Sequence, residues 1–223
     1  MEQIDFILIR KYFDRIIGPS ILETLHIVSL TMLIGFAAGF GVAILLTLYR
    51  TDGLEPKPRL YAALDFVVNT IRSFPGLILI VAISPLTRAI VGTTVGQRAA
   101  VVPLSIACTA LVARLLEESF RRVDPQLVEA ARSFGATDMQ IVLRVIIRES
   151  VPSIVSVATL ATVTFTAMST IAGAVGGGGL GAVALNYGYQ SFNDFVLYTC
   201  VFILFALVQL TQWVGNLLQK KVQ

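Results

Sequence analysis

The chain has 223 residues, of which 56% are apolar and only 14% are charged, and its mean hydropathy is +0.80. A soluble domain carries about 25% charged residues, so this composition excludes a soluble enzyme. The net charge of +3 is small and the basic residues are scattered, which excludes a nucleic-acid-binding surface. The composition indicates an all-α membrane protein, because backbone groups inside lipid must be hydrogen-bonded within their own segment.

Long blocks with almost no charge predict five transmembrane helices, since one crossing needs about 20 mostly apolar residues. The predicted spans are residues 27–49, 74–91, 99–116, 151–174 and 195–218. The first contains Gly35 and Gly39, whose spacing of four allows close helix packing in lipid. The block 60–91 is too long for one crossing, so we expect a helix at the interface over 60–73. We expect Pro85 to bend the crossing that follows.

The distribution of Lys and Arg predicts the orientation, because cytoplasmic segments are enriched in both. With the charged loop 117–149 in the cytoplasm, five spans place the N-terminus outside and the C-terminus inside. The cytoplasmic side then holds Arg50, Lys57, Arg59, Arg114, Arg121, Arg122, Arg132, Arg144, Arg148, Lys220 and Lys221. The outer side holds Arg10, Lys11, Arg15, Arg88 and Arg98.

The two cysteines, Cys108 and Cys200, fall inside apolar blocks and lack the spacing of a disulfide framework or a metal site. We interpret them as free buried thiols, and we expect no metal site. The start of the chain contains Glu2 and Asp5 and lacks the basic-then-apolar pattern of a cleavable signal peptide.

The loop 117–149 has start and stop signals for two helices. Asp124 before Pro125 predicts one helix start, and Gly135 predicts its end. Thr137 and Gln140 form the pattern of a capping box, which predicts a second helix. The first helix has an apolar face made of Leu127, Ala130, Ala131 and Phe134. The residues alone leave two alternatives open, an ordinary amphipathic surface loop or a docking element that moves the following span.

The same loop resembles the EAA motif of permease subunits of bacterial ATP-binding-cassette (ABC) importers, through Glu129-Ala130-Ala131, Gly135 and Val145-Ile146-Ile147. In that family the loop forms the coupling helix, which sits in a groove of the ATPase subunit. The resemblance implies that the ATPase-coupling residues are Glu129, Ala130, Ala131, Phe134, Gly135, Thr137 and Met139. The family motif usually ends in proline, where this chain has Arg148 and then Pro152.

Beyond that motif, the chain resembles the methionine-importer permeases in Arg72-Ser73-Phe74-Pro75, Pro85-Leu86-Thr87-Arg88 and Gly173-Ala174-Val175-Gly176. The resemblance implies a single permease transmembrane domain over residues 1–223, of the type I importer fold, in the bacterial cytoplasmic membrane. It implies a homodimer that imports an amino acid, methionine above others. Its implied partners are two copies of an ATPase subunit, which hold ATP and Mg, and an external substrate-binding lipoprotein. No cofactor is expected on this chain.

Other signals carry less. Gly176, Gly178 and Gly181 fit a dinucleotide-binding pattern but follow a membrane span rather than a strand, and the sequence contains no P-loop motif. We interpret the only histidine, His26, as the partner of Glu23 in a structural contact. Asp65, Asn69 and Arg72 share a helix face, where they could pair locally, or Arg72 could reach lipid headgroups.

The fourth span carries a row of hydroxyl groups on one helix face, formed by Thr159, Thr162, Thr166 and Ser169. Such a row can line a translocation pathway or hold helices together by hydrogen bonds.

Two other classes of function fit the sequence less well. A secondary transporter working without an ATPase commonly shows inverted repeats and midplane charges, which this sequence lacks. A membrane-embedded enzyme would need a nucleophile and base or a metal-ligand set within its spans.

Overall fold

The computed structural model describes residues 12–222, which are helical almost throughout and contain no strand. The all-α prediction is therefore confirmed for the described chain. The segment considered for a signal peptide lies outside the described residues, and so do Arg10 and Lys11. In chain order the α-helices are α1 (Gly18–Tyr49), α2 (Pro58–Ser73), α3 (Gly76–Ala82), α4 (Ser84–Val91), α5 (Gln97–Phe120), α6 (Pro125–Ser133), α7 (Asp138–Ile141), α8 (Ile147–Glu149), α9 (Val151–Ala172), α10 (Gly179–Val183) and α11 (Asp194–Val222). Four π-helical turns extend or join them, at Phe13–Ile17, Val142–Ile146, Gly173–Gly177 and Ala184–Tyr189.

Within residues 12–222, four helical segments are long and apolar enough to cross a membrane: Phe13–Tyr49, Gln97–Phe120, Val151–Gly177 and Asp194–Val222. A fifth crossing is possible if α2 and α3 count as one broken span. The helix that holds the third predicted span, residues 99–116, is longer than that span, because α5 continues to Phe120 and includes Glu117 and Glu118. Helix propensity explains this extension, since Leu, Arg and Glu all favour helix after the apolar block ends.

The second crossing differs most from its prediction. We expected a crossing over residues 74–91 with a bend at Pro85. The chain is non-helical at Phe74 and Pro75, and the next interruption lies at Ile83, where α3 ends. Proline is tolerated in the first turn of a helix, so α4 starts at Ser84 and includes Pro85.

The chain divides into two compact units. The first comprises the residues up to Leu33, Pro75–Ser105 and Thr162–Thr211; the second comprises Ile34–Phe74, Ile106–Ala161 and Gln212–Gln223. The core of the first unit contains Ile17, Leu180, Val183, Val196 and Cys200, and that of the second contains Leu46, Val68, Ala110 and Ala113. Within the described residues, Cys108 and Cys200 are both buried and form no disulfide, as interpreted from the sequence.

In the second unit, α2 packs lengthwise against α1 and α5. Val68 of α2 lies in a common core with Leu46 of α1 and Ala110 of α5. Tyr61, Leu64 and Ile71, on other turns of α2, pack against the same core. The opposite face of α2 is exposed, including Phe66 and Val67. A helix at the membrane interface also packs one face against the protein, so the interfacial placement expected for residues 60–73 stays a prediction.

Candidate coupling loop and polar faces

The chain between α5 and α9 begins with a capped helix. The Asp124 side chain accepts a hydrogen bond from the Gln126 backbone N–H at 2.9 Å, and Pro125 occupies the first position of α6. A side-chain acceptor at the cap satisfies one of the backbone donors that a helix start leaves open. The predicted start of this helix is confirmed.

Gly135 ends α6 in the left-handed conformation, with φ of +79°. Its N–H donates to the Arg132 carbonyl at 2.9 Å, and the Ala136 N–H donates to the Ala131 carbonyl at 3.1 Å. These two bonds form a Schellman motif, which satisfies the last carbonyl groups of the helix. The chain can therefore reverse sharply here because residue 135 is glycine.

Thr137 starts the second helix through the predicted capping box. Its side chain accepts from the Gln140 N–H at 3.4 Å, and the Gln140 side chain accepts from the Thr137 N–H at 3.0 Å. Beyond it, Ile141 and Val142 are fully buried. α7 is thus fixed at both ends, and it continues through the π-helical turn and α8 toward α9.

This loop exposes large apolar side chains that no other part of the described chain covers. Phe134 is 91% exposed. Three other large apolar side chains of the loop are also exposed, namely Leu127, Met139 and Leu143. Glu129, Ala130 and Thr137 are exposed and Ala131 is half-buried. The residues implied by the family resemblance therefore lie at the surface, on α6 and on the turn that follows it.

One side chain joins the loop to the connection after α1. Arg132 donates to the Leu54 carbonyl at 3.4 Å and to the Asp138 carboxylate at 3.2 Å. In the same connection, the hydrogen bond with Glu55 raises the pKa of Lys57, which remains cationic beside the Tyr49 ring. These contacts are exposed and each contributes little stability.

The hydroxyl row of α9 is mostly occupied by bonds to its own helix. Thr159 donates to the Val155 carbonyl at 2.9 Å and Thr166 to that of Thr162 at 2.8 Å. Ser169, which is buried, donates to the Thr166 carbonyl at 2.7 Å. Thr159 also lies directly against Gly215 of α11. These three bonds lie within α9 and do not join helices, so only the contact of Thr159 with Gly215 supports helix packing, and the translocation-pathway role stays a prediction.

The glycine pair of α1 lies on its packed side. Gly35 and Gly39 are both buried. A Cβ atom built on Gly39 would lie 2.8 Å from the Thr109 carbonyl oxygen and 2.8 Å from Cβ of Val112, both in α5. Since real Cβ atoms do not approach so closely, these contacts support the close-packing role expected of Gly39, and the same role for Gly35 stays a prediction.

The contact expected between His26 and Glu23 is replaced by contacts with other segments. His26 Nδ1 lies 3.2 Å from the Gln97 side-chain oxygen. The Glu23 carboxylate accepts from the Gly179 N–H at 2.7 Å. Both partners are distant in sequence, so spacing along α1 could not identify them.

Sequence reasoning missed a cluster between α2 and α5. Asp65 pairs with Arg114 at 3.1 Å rather than with Asn69 or Arg72. Arg114 also binds Glu117, which is only 4% exposed. The available signal was the presence of Arg and Glu next to an apolar span, where ionisable groups are functional candidates.

Comparison with known proteins identifies the family. The family model described as "Binding-protein-dependent transport system inner membrane component" matches residues 35–223. The chain is 42% identical over 200 residues to the probable D-methionine transport system permease protein MetI of Vibrio cholerae, covering 90% of this chain and 89% of that protein. It is 38% identical over 151 residues to the D-methionine transport system permease protein MetI of Escherichia coli K12, covering 68% and 70%.

Solved structures agree. An inward-facing crystal form of the MetNI methionine ABC transporter matches with a TM-score of 0.91 at 37% identity, covering 93% of this chain and 96% of that chain. An amino acid ABC transporter solved with histidines matches with a TM-score of 0.75 at 19% identity, covering 98% and 97%, which shows the fold alone. The prediction of an ABC type I permease is confirmed, and the chain belongs to the inner membrane components of binding-protein-dependent transport systems, a family of transport subunits rather than enzymes.

Proposed function

We propose that this permease carries an amino acid, methionine above others, into the cell with ATP hydrolysed by a separate ATPase subunit. The observation that carries the proposal is the apolar surface of the loop between α5 and α9. Phe134 is 91% exposed there, and Leu127, Met139 and Leu143 of the same loop are exposed as well. Several large apolar side chains left exposed in one charged loop favour a contact with another protein.

The structure of the loop allows a displacement of its helices to reach α9. Both of its helices have capped starts, and Gly135 fixes the turn between them. The buried residues Ile141, Val142 and Ile146 anchor the second helix inside the second unit. An ATPase bound to Ala130, Phe134 and Met139 would therefore move α7 and the start of α9 with it.

Methionine is proposed from the relatives. The curated relatives of Vibrio cholerae and Escherichia coli are named D-methionine permeases, and the similar solved structure is a methionine transporter. An uptake assay with radiolabelled methionine and competition by each enantiomer tests this assignment. Failure of both D- and L-methionine to compete for uptake would remove methionine as the substrate.

The assembly follows from the same proposal. Two copies form the pathway around a twofold axis, since one five-span chain is small for a pathway. Two ATPase subunits, which hold ATP and Mg, bind the two loops, and an external binding lipoprotein delivers the amino acid. ATP binding draws the ATPases together, brings the loops with them and opens the pathway outward.

We further propose one transmembrane domain with the N-terminus outside and the C-terminus inside. Four long helices, α1, α5, α9 and α11, contribute residues to both compact units, which supports one domain. The excess of Lys and Arg on the loop side supports the orientation. With Cys108 and Cys200 replaced by serine, Asp138→Cys should resist an impermeant thiol reagent added outside intact cells. Ready external labelling would reverse the orientation.

The central test is co-purification of the ATPase and ATP-dependent uptake in vesicles. We expect Glu129→Lys to lose docking or uptake while the chain still inserts, since its spans are unchanged. Uptake that continues without any ATPase, driven by an ion gradient, would establish a secondary transporter instead.

A further inference from the structure

A polar cluster ties α2 to the last turns of α5. Tyr61 donates from its hydroxyl to Oε1 of Glu117 at 2.9 Å. Nη1 of Arg114 donates to Oε2 of Glu117 at 3.0 Å and to Oδ1 of Asp65 at 3.1 Å. Each carboxylate oxygen of Glu117 therefore accepts from a different helix, and Arg114 repeats the link between α2 and α5.

The cluster is more than a surface ion pair. Glu117 is only 4% exposed, so its charge is compensated by Arg114 and Tyr61 rather than by water. Packed apolar residues would hold two helices together as well as a buried ion pair does. Helices joined by apolar contacts can shift relative to each other. Charge-assisted hydrogen bonds, in contrast, hold only within a narrow range of distance and direction. The cluster therefore fixes the position of α5 relative to α2, beyond the adhesion that the neighbouring apolar core supplies.

The cluster also lies where α5 leads into the coupling loop, residues 117–149. α5 ends at Phe120, which is buried and packs edge-on against Phe40 with ring centroids 6.1 Å apart. Val123 is buried next, and Asp124 caps α6 immediately afterwards. A displacement of α6 is therefore passed to the end of α5, and from there the bonds of Glu117 and Arg114 pass it to α2.

We infer that Tyr61, Asp65, Arg114 and Glu117 are positioning residues that transmit the displacement of the coupling loop to α2, and so link ATP hydrolysis to transport. The inference rests on the proposed docking of an ATPase on this loop. The four residues act through the helices that they join.

The test compares Tyr61→Phe with Tyr49→Phe in the complete transporter with its ATPase, reconstituted in lipid vesicles. Both changes remove one hydroxyl, but within residues 12–222 the Tyr49 hydroxyl makes no hydrogen bond, and its ring lies beside Lys57. We expect Tyr61→Phe to raise the number of ATP molecules hydrolysed per amino acid taken up by about fivefold, and Tyr49→Phe to leave it unchanged. An unchanged ratio in Tyr61→Phe would overturn the inference.

A double variant separates transmission from stability. Tyr61→Phe with Glu117→Leu removes donor and acceptor together, so no buried polar group of that pair is left without a partner. If the cluster only stabilised the helices, this variant would regain the normal ratio of ATP to uptake. We expect the ratio to stay raised, because the directional link is absent.

If either variant fails to assemble, Asp65→Asn supplies the measurement, since it keeps an oxygen opposite Arg114 and removes the charge. We expect the ATP-to-uptake ratio to rise there as well, and a normal ratio counts against the inference. A failure of the proposed function can be told apart from a failure of this inference, because the unmodified chain would then retain no ATPase on purification.

Discussion

The Glu23 carboxylate in α1 accepts a hydrogen bond from the backbone N–H of Gly179, which lies 156 residues later in the chain. The next residue of each segment repeats the contact, because Thr24 Oγ1 accepts from the Leu180 N–H at 2.9 Å. Gly178 and Gly179 have φ of +82° and +76°, and this backbone turns two successive N–H groups toward α1. The glycine segment after α9 is thus held by side chains of the first helix.

We expect Glu23→Ala to destabilise this segment by about 1–3 kcal/mol, because the Gly179 N–H loses its acceptor. Glu23→Gln keeps an oxygen in place and should cost less. The measurement is the thermal unfolding midpoint of the purified chain in detergent, together with uptake. Equal midpoints for Glu23→Ala and the unmodified chain would contradict this prediction.

A second prediction concerns close packing of α1. Gly39→Ala places a methyl group 2.8 Å from the Thr109 carbonyl oxygen, so the backbone of α1 or α5 must shift, at a cost of about 1–3 kcal/mol. Gly41→Ala is the control, since no atom lies within 4 Å of the added Cβ. We expect a lower unfolding midpoint for Gly39→Ala only. If the two variants unfold alike, Gly39 has no packing role.

At Gly135 the backbone, and not the surrounding space, sets the cost of substitution. A Cβ there meets no atom within 4 Å, but φ of +79° costs an ordinary residue about 1–2 kcal/mol. β-Branched residues fit this conformation worst and Asn fits best, so we expect loss of function in the order Val, then Ala, then Asn. ATPase co-purification and ATP-dependent uptake measure it. Full docking and uptake in Gly135→Val would exclude the loop as the coupling element.

A fourth prediction separates the two roles weighed for the α9 hydroxyl row. Because Thr166 donates to its own helix, Thr166→Val should change the stability little and leave the KM for substrate unchanged. Thr159→Val, which also keeps its shape against Gly215, should behave in the same way. Substrate-dependent uptake in vesicles gives the KM. A severalfold rise in both variants would instead favour a polar pathway.

The sequence by itself determined the features that depend on neighbours along the chain. Apolar block length specifies helices that can cross a membrane, because lipid offers no hydrogen bonds to the backbone. Asp124, Gly135 and Thr137 specify the two loop helices, because caps and left-handed turns act within a few residues. The family motif lies in the same loop, so the transport class could also be predicted there.

Only the tertiary structure decided which distant groups meet. Asp65 is paired with Arg114, although Asn69 and Arg72 lie nearer to it along α2. Glu23 is paired with Gly179, although His26 lies nearer to it along α1. The placement of α2 along α1 and α5 was decided in the same way, through Val68 in the common core. The physical reason is that helix periodicity defines which side chains share a face, whereas the partner of that face depends on how the helices pack.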